Sequence, residues 1–188
     1  MKYASFAELA QHETPGRDFR VRQIDRPGSR VVIVAPHGGM IEVGTSEIAG
    51  LIAGTDYSLF CFEGLKSHRQ NRDLHITSHR FDHPDCLALA AQREVVVSVH
   101  GCMGQSCIFI GGLDLELARR LSNELAVAGF DVVSEDHKYP GRHPFNICNR
   151  GSRGKGAQLE ITHDLRASEY REAIARSVRA GIAGFAES

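Results

Sequence analysis

The chain has 188 residues, of which 42% are hydrophobic and 24% charged, and its formal net charge is -1 at pH 7. These values are typical of one globular domain, and the near-zero charge argues against a general nucleic-acid binder or a membrane-surface protein. No apolar run approaches the roughly 20 residues that span a bilayer, and from the pattern of residues 1–17 we expect no secretory signal. We therefore expect a single cytoplasmic domain over residues 1–188.

Predicted strands and helices alternate along the chain. Continuous β-branched runs such as RVVIVA and EVVVSV are typical of buried parallel strands. Strands are predicted at residues 19–24, 30–35, 57–62, 94–99, 107–110, 131–134 and 157–162, with a short extended piece at 74–77. Helices are predicted at residues 5–10, 45–53, 84–92, 113–128 and 167–183. This order predicts one α/β domain with a central, largely parallel sheet.

Two connecting segments stand out. The sequence PHGG at residues 36–39 follows a buried strand directly and predicts a turn. Residues 135–156 form a long loop rich in glycine, proline, arginine, histidine and asparagine. Loops of this length inside a compact domain are usually functional or disordered.

Metal-type side chains follow two of the predicted buried strands. One strand leads into His37, with Glu42 on the glycine-rich segment after it, and another leads into His100. Ligand sites in open α/β sheets lie beyond the carboxyl ends of strands, and two histidines with one glutamate form a catalytic zinc set whose fourth position is open. Zinc activates water for attack on a carbonyl, so a carboxylate is needed to take the proton. Glu160, on a late strand, is the candidate.

Each of these residues also has a simpler interpretation. A histidine after a strand is more often a capping or core residue, Glu42 alone would be a solvated loop residue, and Glu160 could pair with an arginine. The combination is what favours a zinc site. Both histidines are followed by glycine, and an acid lies five residues beyond the first histidine.

The stretch PHGGMIEVGTSEIAG at residues 36–50 resembles the poly-γ-glutamate hydrolase family of bacteriophages and bacterial genomes, and more remotely the zinc carboxypeptidases. Further matching stretches follow in order: LHITSHRFDHP, SVHG, IGGLD and QLEIT. The resemblance implies a carboxypeptidase-like fold, a three-layer α/β/α domain with a central mixed, largely parallel sheet. It also implies a single zinc ion on His37, Glu42 and His100, and Glu160 as general acid/base. The His-x4-Glu interval departs from the His-x-x-Glu of carboxypeptidases and favours the smaller family. The implied reaction is hydrolysis of a γ-glutamyl amide bond in a polyanionic chain.

Cationic loops independently favour an acidic polymer or an acidic small molecule as substrate, because guanidinium groups bind carboxylates in a bidentate manner. Asn149 and Arg150 are predicted to bind a substrate carboxylate, and His75 is predicted to stabilise the oxyanion. The full set of predicted substrate-binding residues is Asn71, Arg72, His75, Arg80, Asn149 and Arg150. For each arginine, the alternative is an ordinary solvated surface position.

Three other functions remain open. The same metal site would serve a zinc deacylase or amidase acting on a small acidic or peptidoglycan-derived compound. A thiol enzyme could use Cys102, two residues past His100, if a base lay within reach. A phage- or replication-associated binding module would use the metal structurally, which normally requires a fourth protein ligand.

Overall fold

The computed structural model describes residues 2–186, with the side chains of residues 68, 69, 168 and 184–186 excluded. Over that range the chain forms seven strands and five α-helices. The strands are β1 (Phe19–Ile24), β2 (Val31–Gly39), β3 (Ser58–Gly64), β4 (Val95–Cys102), β5 (Ile108–Gly112), β6 (Val132–Val133) and β7 (Ala157–Thr162). The helices are α1 (Phe6–Leu9), α2 (Thr45–Ala53), α3 (Pro84–Ala91), α4 (Leu115–Val127) and α5 (Ser168–Ala186).

The strands form a single mixed sheet in the order β1-β3-β2-β4-β7-β5-β6. The central strands β3, β2, β4 and β7 are parallel to one another. Strand β1 runs antiparallel to β3, and β5 runs antiparallel to β7. The predicted mixed, largely parallel sheet is therefore confirmed, and its parallel centre carries the residues predicted to be functional.

Helices cover both faces of the sheet. On one face, Ile33 and Ala35 of β2 belong to a core that includes buried residues of α2, α4 and α5. On the other face, Val32 and Val34 pack in a second core with residues of α1 and α3. Burying an aliphatic side chain of this kind contributes about 1.5–3 kcal/mol. The two cores confirm the predicted three-layer arrangement.

Strand β2 continues through the sequence PHGG, so the predicted turn at residues 36–39 is wrong. Its register against β3 shifts between Ala35 and Gly38, which leaves one extra residue on β2. This irregularity is a β-bulge, and it contains Pro36, which has no N–H to donate to the sheet. Regular alternation would place His37 on the same face as Ala35, whereas the bulge turns it towards the opposite face.

Two connecting segments next to the site differ from a plain loop. The predicted extended piece at residues 74–77 is not a strand; a 3-10 helix, His68–Leu74, precedes residues 75–77, and a second, Ser78–Arg80, follows. The long segment 135–156 contains a 3-10 turn at Ile147–Asn149. Among the described helices, none combines the length and apolar character needed to cross a membrane.

Candidate active site

A cleft of about 590 Å³ lies at the carboxyl ends of β2 and β4. One of its walls carries His37, Glu42 and His100, and Glu160 of β7 also lines it. Residues of segments 75–79 and 138–143 also line it. The cleft therefore brings together all four residues predicted to hold the metal and perform the proton transfer.

The three predicted ligands direct one atom each to a common point. The Nδ1 atoms of His37 and His100 are 3.2 Å apart, and Nδ1 of His37 is 3.2 Å from Oε1 of Glu42. Within the described residues these three form a group whose ligand atoms all lie within 4.8 Å of one another. Ligands about 2.0–2.1 Å from a tetrahedral metal ion lie about 3.3 Å apart, so the spacing fits zinc.

The outer nitrogen of each histidine has its own partner. Nε2 of His37 is 2.6 Å from the backbone oxygen of Ile76, which can only accept a hydrogen bond, so this nitrogen donates. Nε2 of His100 is 3.1 Å from the hydroxyls of both Ser78 and Ser98. A proton on Nε2 leaves the lone pair on Nδ1, the atom at the convergence point. The carbonyl of Ile76 therefore fixes this tautomer for His37, and the hydroxyls of Ser78 and Ser98 can accept the same proton from His100.

Glu42 is held in the same way. Its Oε2 accepts a hydrogen bond from the backbone N–H of Gly101 at 2.7 Å, which leaves Oε1 to face the histidines. Nε2 of His75 is 3.3 Å from that Oε1, and the His75 ring stacks on the ring of His37 at 3.9 Å. His75 thus contacts two of the three candidate ligands and borders the cleft.

Two of the three groups are already in the protonation state that binds a metal. Burial and the neighbouring charge of His37 lower the pKa of His100 to about 3, so His100 is a neutral imidazole. Burial opposes the ionised form of Glu42, but the charge and hydrogen bond of His37 and the hydrogen bond of His75 outweigh it and hold its pKa well below the usual range. Burial also acts against protonation of His37, yet Glu42 raises its pKa. Without a cation, a proton on His37 balances the carboxylate, and a bound metal would displace that proton.

Glu160 enters the cleft from the strand next to β4. It is paired with His100 in the parallel register, so both side chains project from the same face of the sheet. Nε2 of Gln158 donates to Oε1 of Glu160 at 3.1 Å, and the amide of Asn146 donates to Gln158 at 2.8 Å. A chain of two amides therefore orients the carboxylate.

Burial raises the pKa of Glu160 to about 9, and the negative charge of Glu42 acts in the same direction. The positive charges of Arg166 and Lys138 oppose this shift. A divalent cation at the trio would lower the pKa further, towards the neutral range where a general base works. Two nitrogen donors, one oxygen donor and a nearby carboxylate are the groups that metal-assisted hydrolysis requires.

The family model described as poly-γ-glutamate hydrolase matches residues 3–181. The chain belongs to that family. The SPβ prophage-derived UPF0714 protein YoqZ of Bacillus subtilis (strain 168) is 39% identical over 173 residues, which are 90% of this chain and 61% of YoqZ. The chain thus spans about three fifths of the length of this relative.

Solved structures agree with the family assignment. A bacteriophage poly-γ-glutamate hydrolase superposes with a TM-score of 0.94 at 26% identity, covering 99% of this chain and 98% of that one. The zinc-free apo form of YndL gives 0.89 at 33% identity, covering 97% and 98%. A putative carboxypeptidase A from Shewanella denitrificans OS-217 gives 0.53 at 13% identity, covering 87% and 59%. The fold of this poly-γ-glutamate hydrolase family member is therefore carboxypeptidase-like, as expected.

Asn149 does not reach the cleft of this family member. Its Oδ1 accepts hydrogen bonds from the backbone N–H groups of Leu113 and Gly156. Its Nδ2 donates to the backbone oxygens of Gly141 and His143. Asn149 is buried, and all of these bonds hold the long segment 135–156 in place. Its position therefore corrects the prediction that its amide faces a substrate.

The other five predicted substrate residues lie partly inside and partly outside the cleft. His75 lines the cleft, as described above. The amide of Asn71 bonds the backbone of Lys66, and the guanidinium of Arg150 lies over the ring of Phe145 at 5.3 Å. Two further arginines are exposed outside the cleft lining, Arg72 and Arg80. Of the six predicted substrate-binding residues, all within the described part of the chain, His75 alone lines the cleft.

The cations that do line the cleft belong to the long segment. Lys138 and Arg142 are exposed there, and neither forms an ion pair with a carboxylate among the described residues. The rings of His79 and His143 are in contact beside them at 4.7 Å. The density of arginine and histidine in this segment was the sequence signal, but it does not indicate which side chains face inwards.

Cys102 also lines the cleft, which bears on the thiol-enzyme alternative. Burial, together with the negative charge of Glu160, raises the pKa of the Cys102 thiol to about 11. The thiolate is the nucleophilic form, and at neutral pH such a group remains a thiol. The environment of Cys102 therefore argues against nucleophilic catalysis by this residue.

Proposed function

We propose that this protein is a zinc-dependent hydrolase that cleaves γ-glutamyl amide bonds in poly-γ-glutamate or a similar acidic chain, using one zinc ion per chain. The observation that carries the proposal is the convergence of His37, Glu42 and His100 on one point in the cleft that Glu160 also lines. Family membership supports the same reaction class.

The residues have separate tasks in this reaction. A zinc ion held by Nδ1 of both histidines and Oε1 of Glu42 would polarise the scissile carbonyl and lower the pKa of the attacking water. Glu160 accepts the proton of that water and delivers it to the leaving nitrogen. Gln158 holds Oε1 of Glu160, so that the carboxylate keeps its orientation through both transfers.

An acidic substrate fits the opposite wall. A γ-linked polyglutamate carries a free carboxylate on every residue, so it needs cationic partners on both sides of the bond that is cut. Lys138 and Arg142 offer positive charge at the cleft, and no carboxylate of the described residues pairs with either of them. Charged groups of this kind raise the local concentration of a polyanion and bind its carboxylates directly.

The number of protein ligands favours an enzyme over a binding module. Structural zinc ions normally have four protein ligands, whereas the metal-capable group among the described residues has three. Salt-dependent retention of DNA together with an absence of hydrolysis would instead support the binding module.

The proposal is tested by measuring metal content and hydrolysis on the wild-type protein. We expect about one zinc ion per chain and release of glutamate oligomers from the γ-linked polymer, lost on chelation and restored by zinc. An α-linked polyglutamate and small N-acyl amino acids serve as comparison substrates. Turnover of the small compounds alone would identify a deacylase. Protein that purifies without metal and gains nothing from added zinc overturns the central proposal.

A further inference from the structure

Arg166 is a buried arginine that lies directly behind the site. It ends the 3-10 turn Asp164–Arg166 after β7, and only 6% of it is exposed. Its Nε donates a hydrogen bond to the backbone oxygen of Ile161 at 3.1 Å, and its Nη1 donates to the backbone oxygen of Val43. The guanidinium thus links strand β7 to the turn between β2 and α2.

The same guanidinium packs against β4 at Gly101. A Cβ atom at position 101 would lie 2.5 Å from Cζ of Arg166, so only glycine leaves room for this contact. Gly101 lines the cleft together with its neighbours His100 and Cys102, whereas Arg166 is outside the cleft lining. A side chain at position 101 would point to the face opposite that of His100, because side chains alternate along a strand. The guanidinium therefore contacts β4 on the face that points away from the cleft.

The three contacts share a feature of sequence position. Each is made to the residue that immediately follows a residue of the candidate site: Val43 follows Glu42, Gly101 follows His100, and Ile161 follows Glu160. These three segments are not continuous in the chain, and Arg166 contacts all of them. We infer that Arg166 is a positioning residue, which sets the spacing of Glu42, His100 and Glu160 through their backbones without touching substrate or metal.

The charge of Arg166 also supports a positioning role. Among the described residues it forms no ion pair with a carboxylate, and the acids whose charges act on it are Glu42 and Glu160. Burying a guanidinium without a direct carboxylate partner is costly, so a purely structural role would be filled as well by an apolar side chain. Lysine cannot replace it, because a single ammonium does not offer the planar fork that reaches two carbonyls at once.

The inference rests on the proposed function and is tested with Arg166→Met, Arg166→Lys and Gly101→Ala. Arg179→Met is the matched control, since Arg179 also donates to backbone oxygens, those of Ile52 and Ala53, but at the far end of α2. Zinc affinity is measured by competition with a chelator, alongside kcat, KM and Tm. Loss of a residue that orients metal ligands lowers metal affinity about 10–100-fold.

We expect Arg166→Met and Gly101→Ala to show that loss of zinc affinity together with a lower kcat, while KM stays within about twofold of wild type because the substrate contacts remain. Arg166→Lys should remain defective although it keeps the charge, and Arg179→Met should change Tm alone. If Arg166→Met does not fold, the lysine variant supplies the same comparison.

Two results would overturn the inference. Wild-type zinc affinity and kcat in the Arg166 variants would show that the residue positions nothing. Equal losses in Arg179→Met would show that general destabilisation, and not the three contacts, lowers zinc affinity. A wild-type protein that binds no zinc defeats the proposed function itself, so the two failures are distinguishable.

Discussion

The two walls of the cleft are built in opposite ways. On the metal wall, His37 and His100 are each 2% exposed, and the outer polar atoms of both rings are bonded to Ile76, Ser78 or Ser98. On the wall formed by residues 138–143, the cationic side chains are exposed and make no ion pairs with described carboxylates.

The two walls suit two different functions, metal binding and polymer binding. Ligand atoms need to be held within a fraction of an ångström, which buried side chains on adjacent strands provide through packing and outer hydrogen bonds. A polymer with many equivalent carboxylates needs charge that can adapt, which long side chains on a loop provide. Substitutions on the first wall should therefore change metal affinity or kcat, and those on the second should change KM.

The largest effect is expected from the metal wall itself. His100→Ala removes one of three ligands, so zinc affinity should fall by more than the roughly 100-fold that outer partners cost, and hydrolysis should disappear. Metal content after dialysis and polymer cleavage measure the change. His12→Ala, at an exposed histidine outside the cleft, is the control and should keep both. Full zinc occupancy in His100→Ala would contradict the ligand assignment.

Glu160→Gln should separate metal binding from chemistry. The amide keeps the size of the side chain but cannot accept the proton, so kcat should fall about 10²–10⁴-fold while zinc content stays at the wild-type level. Glu124→Gln, on the exposed surface of α4, provides the matched control. A Glu160→Gln variant that retains wild-type kcat would remove Glu160 from the mechanism.

An intermediate effect is expected from the outer partners of His100. Ser78→Ala leaves Ser98 to hold Nε2, so zinc affinity should fall only about tenfold, whereas replacing both serines should approach a loss of about 100-fold. Chelator competition measures both variants. If neither the single nor the double replacement lowers zinc affinity, the hydroxyls do not orient the ring.

The smallest effects are expected on the cationic wall. Lys138→Ala and Arg142→Ala each remove an exposed charge, typically worth about 0.2–1 kcal/mol, so KM for the polymer should rise up to about fivefold with kcat unchanged. The rise should shrink as salt is added. Arg176→Ala, an exposed arginine of α5, tests whether any lost charge has the same effect. A change in kcat without a change in KM would argue against a substrate contact here.

Much of the fold could be predicted from local pattern. The β-branched runs that become β2 and β4 are recognisable because strands buried on both faces need continuous apolar sequence. His37, Glu42 and His100 could be selected since ligand chemistry and strand-end position are both visible in the sequence. Glu160 followed from the need for a proton acceptor.

What could not be predicted depends on contacts between distant segments. Asn149 and Arg142 both lie in the long segment and have equally polar side chains, yet one is satisfied by four backbone groups and the other faces the cleft. Ser78 and Ile76 became partners of the histidines only through the path of a connection that has no periodic pattern. The place of Gln158 in the site could have been predicted more easily, because strand alternation puts it on the same face as Glu160.

The bulge in β2 determines on which face of the sheet His37 lies. Side chains of a strand change face at every residue, and the one extra residue between Ala35 and Gly38 decides whether His37 shares a side with His100 or with the opposite core. Deleting a single residue there would leave every ligand in the sequence and still separate them by the thickness of the sheet. Anyone who transplants this centre into another parallel sheet must therefore transfer the irregular strand along with the three ligands.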